Sequence, residues 1–286
     1  MSTIAFQGRR GAYSESAAYS LFGSEIAVQP VDSFEELHRL VQGGQVDGGV
    51  IPIENSTAGS IHDNYDLLLR YRQPIVGEVK LQIEHCLFAL PGETLESLHE
   101  VISHPQALAQ CSKFFADHPH IQRTAFFDTA GSAEEIANKR LCGIGGIAST
   151  YAARYYGLEI LREPLANLPG SNFTRFFAIQ KEAPPLDVQR DTKTSLIFVP
   201  RQNEPGILYR ALGCFATRDI DLLRIESRPL QGSPWQYVFY LDFEGNPGIP
   251  KVHEAMEELK SLSTFLHHLG SYPDGKNRTL KYKDAL

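Results

Sequence analysis

Four times in the first 150 residues an apolar strand runs into a few residues of Gly, Ser, Thr, Asn or Pro, and a helix-like segment follows. The junctions are residues 8–14, 54–60, 103–106 and 145–150. The strands they terminate are read at 3–7, 46–53, 101–103 and 141–147, with further strands at 26–30, 75–90 and 121–127. Regular alternation of strand and helix leaves the helices to cover the sheet faces, so the chain is constrained to an α/β domain with largely parallel sheets. Residues 32–36 add a local start signal, Ser33 three residues before Glu36 and ahead of Leu37, Leu40 and Val41, the pattern of a capping box. Each junction alone is an ordinary N-cap. Four of them carry free helix-start N–H groups that attract anions, and in α/β sheets such junctions line the crevice at the carboxyl ends of the strands. Together with Asn55 and Arg175 they point to a cleft for a polar ligand.

The stretch 167–179 runs Asn-Leu-Pro-Gly-Ser-Asn-Phe-Thr-Arg-Phe-Phe-Ala-Ile. It opens as a turn at Pro169-Gly170 and continues as an apolar strand. Thr174 and Arg175 lie where the two meet. Packing alone does not call for that pair, whereas an anion pocket does.

A net charge of −7 argues against a nucleic-acid surface, so any attraction for an anion must be local. Cys86, Cys111, Cys142 and Cys214 form no Cys-x-x-Cys pair, which disfavours a zinc knuckle or redox couple and fits reduced thiols. No His, Asp or Glu cluster has metal-ligand spacing, and no metal or cofactor is expected. The N-terminus lacks an apolar export signal and no run reaches the roughly 20 apolar residues of a membrane span, so the expected location is cytoplasmic.

Residues 182–190 read as a linker stopped by Pro184-Pro185. Beyond it the order is strand 193–199, helix 205–217, strands 222–229 and 236–243, helix 250–262 and strand 264–269, the β-α-β-β-α-β order of a ferredoxin-like unit. The expected organisation is a first domain over 1–182, a linker over 183–192, a second domain over 193–273, and a loose polar tail over 274–286.

Six short motifs in order carry a resemblance. They are Gly8-x-x-Gly11-x-Tyr13-Ser14, Pro52-Ile53-Glu54-Asn55-Ser56, Ser103-His104-Pro105-Gln106, Asn172-Phe173-Thr174-Arg175-Phe176, Glu226-Ser227-Arg228-Pro229 and Leu269-Gly270-Ser271-Tyr272-Pro273. Each is weak alone; over residues 3–273 the chain resembles the prephenate dehydratase family. The resemblance implies a two-lobed catalytic domain like a periplasmic solute-binding protein, followed by a regulatory domain of the ACT type. Some members carry a chorismate mutase domain ahead of these; here Thr3 already begins the first strand, and a single-activity form is expected. The implied reaction removes carbon dioxide and water from prephenate to leave phenylpyruvate, without a cofactor. The implied assembly is a homo-oligomer, dimer or tetramer, that binds L-phenylalanine as effector. Arogenate dehydratase, which performs the same chemistry on the amino analogue, stays open, as does a non-catalytic amino-acid sensor.

Residue by residue, the family's catalytic threonine maps onto Thr174, which is assigned a hydrogen bond to the leaving hydroxyl. Arg175 reads either as a carboxylate clamp or as one half of a structural ion pair. Asn55, Ser103 and Gln110 match active-site positions as polar donors. Glu54 is an acid candidate or a helix-start carboxylate. Ser14, Ser56, Thr57, Ser149 and Thr150 read as caps that can cradle a carboxylate, and Phe176 as core or as a ring packed on substrate. His104 ranks below Thr174 because Pro105 after it suggests a structural turn. For the effector, the resemblance implies Gly206, Ile207, Leu208 and Tyr209 together with Glu226, Ser227, Arg228 and Pro229. Ile207 and Tyr209 are bulkier than the family's usual residues there.

Overall fold

The computed structural model describes residues 1–185, 192–202, 204–273 and 279–281. The expected linker and tail therefore fall largely outside the described residues.

The first lobe comprises β1 (Ser2–Gln7), α1 (Tyr13–Phe22), β2 (Ile26–Val31), α2 (Phe34–Gly43), β3 (Gly48–Asn55), β4 (Gly59–Ser60), α3 (His62–Tyr71) and β5 (Ile75–Gln82). The second comprises β6 (Cys86–Ala89), β7 (Glu100–Ser103), α4 (Pro105–Gln110), α5 (Ser112–Asp117), β8 (Gln122–Ala125), α6 (Thr129–Lys139), β9 (Ile144–Ala148), α7 (Thr150–Tyr155) and β10 (Glu159–Arg162). The chain then returns to the first lobe as β11 (Phe173–Ile179). A third sheet follows, from β12 (Thr192–Pro200), α8 (Ile207–Ala216), β13 (Leu222–Pro229), β14 (Tyr237–Glu244), α9 (Pro250–Ser261) and β15 (Ser263–Pro273); β16 (Thr279–Lys281) closes the described chain.

The expected alternation holds, with two differences. The apparent single strand over 75–90 is two strands, β5 and β6, one in each lobe; the three connecting residues, Ile83, Glu84 and His85, make one of the two crossings between lobes. The sheets are mixed rather than largely parallel. In the first, ordered β16-β5-β11-β3-β1-β2, the strands β1, β2 and β3 are parallel but β11 runs antiparallel to both its neighbours. A strand arriving from the other lobe enters from the opposite end, so its direction is set by the crossing. In the second sheet, ordered β10-β6-β9-β7-β8, β6 runs antiparallel to both its neighbours, β10 and β9, and β7, β8 and β9 are parallel. Within the expected tail, Thr279–Lys281 pairs in parallel with β5.

Local signals behave as physical chemistry asks. The Ser33 side chain accepts from the Glu36 N–H at 3.1 Å, and the helix it starts ends on left-handed Gly44. The third sheet, ordered β13-β14-β12-β15, has the βαββαβ connectivity read from the sequence. Its helices cover one face, over a core that includes Leu196, Phe198, Phe215, Leu241 and Phe243. The opposite face packs on the first lobe. Ile197, Val199, Val238, Tyr240, Leu269 and Tyr272 share one core cluster with Ile51, Ile53, Ile75, Phe177 and Leu37 of the first lobe. First lobe and third sheet thus fold as one packed body.

Candidate active site

A cleft of about 180 Å³ opens between the two lobes. Four of its walls are strand-to-helix junctions or strand ends: Tyr13 and Ser14 at the start of α1, Asn55 at the end of β3, His104 and Gln106 around the start of α4, and Asp128 and Thr129 at the start of α6. Thr174 and Phe176 of the returning strand and Asn172 just before it complete the cleft, with His85 and Gln110 on the far side.

Asn55 organises this wall. Its amide nitrogen donates to Thr174 Oγ1 at 2.9 Å and to Asn172 Oδ1 at 2.7 Å. Its Oδ1 accepts from the Thr57 N–H, the Thr57 hydroxyl, the Ala58 N–H and Gln106 Nε2. A side chain held by this many partners has one orientation, so the Thr174 oxygen is fixed and its own O–H is left for a ligand in the cleft. Gln110 makes the second layer, accepting from Asn172 Nδ2 at 2.9 Å and donating to Thr57 Oγ1 at 2.7 Å. His85 lies between Gln110 Oε1 (3.0 Å) and the Tyr13 hydroxyl (3.1 Å). Burial pushes its pKa down to about 4, with Gln110 opposing, so the ring is neutral near pH 7. One ring proton then serves Gln110 on Nε2, while Nδ1 lies beside the Tyr13 hydroxyl, whose own proton goes to the Glu84 carbonyl at 2.5 Å.

The two residues that first mark the chain part company here. Thr174 and Phe176 line the cleft, and by the two-residue period of a strand Arg175 and Phe177 point the other way. Arg175 is a correction: it touches no part of the cleft. Its guanidinium lies buried between Glu78 (2.7 Å) and Asp242 of β14 (2.8 Å), over the Phe177 ring, and near the Tyr272 hydroxyl. Lys193 of β12 joins through Glu78 at 3.1 Å, and Ser195 ties Asp242 to Tyr272. Burial opposes the charge on Arg175, but Asp242, Tyr272 and Glu78 outweigh it and push its pKa up. The ion-pair alternative is the one the geometry supports.

Glu54 is a second correction. It faces Arg224 of β13 and is half exposed, outside the cleft, as the strand alternation from Asn55 requires. Ser103 is buried and donates to the Ile147 carbonyl. Ser149 caps α7 through the Ala152 N–H and donates to the Gly11 carbonyl, and Thr150 is buried beside it. The junction at 145–150 therefore ties lobe to lobe instead of lining the cleft. Ser56 holds the returning strand through the Ser171 carbonyl and the Phe173 N–H, and Thr57 supports Asn55 and Gln110 from behind. Ser14, Asn55, Gln110, Thr174 and Phe176 are the candidates that line the cleft.

Of the implied effector residues, Glu226 binds Ser60 and Arg224, and Arg228 binds Asp66, all on the face turned to the first lobe. Ile207 is buried, and Leu208 and Tyr209 are exposed on the first turn of α8. Ser227 and Pro229 are exposed along β13, the edge strand of the third sheet.

The sequence reading missed His85, Gln106, Asp128, Thr129 and Asn172 as cleft residues. Asp128-Thr129 follows a strand and opens a helix just as the four recognised junctions do, with Asp128 accepting from the Gly131 N–H, and that signal was present. His85 carried none, because its place depends on the lobe crossing.

A family model described as prephenate dehydratase matches residues 4–184. Arogenate dehydratase 2 of Petunia hybrida is 45% identical over 284 residues, spanning 94% of this chain and 71% of that protein. Among solved structures, prephenate dehydratase from Arthrobacter aurescens in complex with L-Phe superposes with a TM-score of 0.87 at 26% identity, covering 97% of this chain and 92% of that one. GqqA, described as a novel type of quorum-quenching acylase, superposes with a TM-score of 0.88 at 35% identity, covering 96% and 99%. With a family model over more than half its length and a relative this similar, the chain belongs to the prephenate dehydratase family.

Proposed function

We propose that the cleft carries out decarboxylative dehydration of prephenate or of its amino analogue arogenate. The observation that carries this reading is the Thr174 hydroxyl, oriented by Asn55 and facing a cleft walled with amides and helix starts. Prephenate has a ring alcohol, a ring carboxylate and a pyruvyl side chain. Loss of carbon dioxide and water restores aromaticity, which supplies driving force, so the protein's part is to hold the dianion and help the hydroxide leave. Thr174 donates to the departing oxygen. The amides of Gln106, Gln110 and Asn172 and the N-terminus of α1 hold carboxylates. Arginine and lysine are missing from the described lining residues, so recognition rests on oriented neutral donors, which cost no reorganisation during reaction.

Replacing Thr174 by Ala is expected to lower kcat by about 10²–10⁴ while the protein stays folded, the usual loss for a positioned proton donor. Thr174→Ser should keep much of the rate. Full turnover by Thr174→Ala, read by formation of the aromatic product, would sink the role.

The likeness to GqqA raises amide hydrolysis as a second reading. It asks for a hydroxyl activated by a base, but His85 is taken by Tyr13 and Gln110, and His104 Nδ1 accepts from the Gln106 N–H. Dehydration is therefore the better reading.

The third sheet we read as an ACT-type regulatory domain. Leu208, Tyr209, Ile225 and Tyr237 expose apolar surface near its free edge β13, suited to a second copy with L-phenylalanine held between the two. Saturating phenylalanine should then lower turnover with a coupling of about 1–3 kcal/mol. Four free cysteines, three of them buried, fit a reducing compartment such as the cytoplasm. No helix among the described residues is long and apolar enough to cross a membrane.

A further inference from the structure

One described residue lining the cleft carries a carboxylate: Asp128, at the N-cap of α6. Its Oδ2 accepts from the backbone N–H of Arg9 at 3.1 Å and of Gly131 at 3.2 Å. The Arg9 guanidinium turns away, pairing with Asp32 at 2.7 Å and Glu134 at 3.1 Å. Asp128 is thus held by backbone dipoles, without a side-chain cation bonded to it, in a cleft whose ligand brings two carboxylates of its own. Burial raises its pKa, against the pull of those amides. The carboxylate is desolvated more than its partners compensate, which is the condition in which a buried anion gains most from a ligand cation.

The two candidate substrates differ at one group. The keto form presents a carbonyl oxygen, an acceptor that an ionised carboxylate repels. The amino form presents an ammonium, three donors with a positive charge.

We infer that Asp128 is the specificity-determining residue of the cleft, receiving the ammonium of the amino substrate and disfavouring the keto form. This rests on the dehydratase reading above and deepens it. A site built to bond a polar group rejects the analogue lacking it more strongly than an apolar pocket rejects a change in size, because its own group is left unpaired.

The test is kcat/KM on arogenate and on prephenate for the full chain and for Asp128→Asn. Asparagine is as good an N-cap as aspartate, so the start of α6 keeps its bond to the Gly131 N–H while the charge is lost. The wild-type protein is expected to prefer the amino substrate. In Asp128→Asn the amino-to-keto ratio should fall by about tenfold or more, with the loss on the amino substrate concentrated in KM. Asp128→Ser, also a good cap, reads the same ratio if the Asn variant does not fold. A wild-type preference for the keto substrate, or a ratio that stays within about twofold in the variant, overturns the inference while leaving the dehydratase reading intact. Turnover of neither substrate by the wild type overturns that reading itself.

Discussion

Arg175 shows how much hangs on the direction of one side chain. Two cations, Arg175 and Lys193, and two anions, Glu78 and Asp242, lie buried together with the Tyr272 and Ser195 hydroxyls. Burial lowers the Lys193 pKa with Arg175 beside it, and Asp242, though burial opposes, is held below the usual carboxylate range by Arg175 and Lys193. Removing one member leaves the others uncompensated. Arg175→Met is therefore expected to destabilise the protein by about 3–5 kcal/mol, the usual cost of breaking a buried pair, measured from urea midpoints. The surviving folded fraction should bind substrate with KM within about threefold of wild type. A large rise in KM at unchanged stability would restore Arg175 as a substrate clamp.

At the level of elements, the lobes meet where α1 approaches α7. Gly11 has φ +87°, and a Cβ there would lie 2.6 Å from the Ala152 Cα, closer than atoms can pack. Its N–H donates to buried Glu15, and its carbonyl accepts from Ser149. Gly157 offers a control, with φ +68° and open space around it. Gly157→Ala should cost about 1–2 kcal/mol for the left-handed backbone alone. Gly11→Ala should add about 1–3 kcal/mol of overpacking and lower turnover as the lobes are wedged apart. Thermal midpoints of the two variants make the comparison; equal losses would show that the close approach does not matter. β11 is the complementary element: it leaves the second lobe, lines the cleft with Thr174, and packs its reverse side on the third sheet.

For the whole molecule, buried histidines set an acid limit. His38 stacks on Tyr71 and meets Gln73 Oε1 at 2.6 Å, and burial pushes its pKa down to about 4, with Gln73 and Glu35 opposing; His85 is shifted likewise. The folded pKa values lie below the unfolded value near 6.5, so the stability of the neutral forms is fully present above pH 6.5 and is lost as pH falls towards 4. At pH 5 each group costs roughly 2 kcal/mol by that linkage. Thermal midpoints should drop between pH 7 and pH 5, and less so in His38→Gln, which lies outside the cleft; an equal drop in both proteins would count against the shift. The packed interface between first lobe and third sheet has a regulatory corollary. Ion pairs from Arg175, Arg224 and Arg228 cross it, so a ligand that moves the third sheet bears directly on β11 and on the end of β3.

The sequence by itself determined what is local. Alternating strands and helices, the Ser33 cap, the βαββαβ order of the second half and the Thr174 junction are written in neighbouring residues, because hydrogen-bond periodicity and capping act within a few positions. Tertiary structure alone decided which face of each strand became cleft. Alternation places Thr174 and Arg175 on opposite sides of β11, but both sides are covered, one by the second lobe and one by the third sheet, and no local pattern distinguishes the two covers. The same holds for Asn55 against Glu54, and for His85 and Asp128. Their place in the cleft depends on how the chain crosses between lobes, and that is fixed by contacts between residues tens to more than a hundred positions apart.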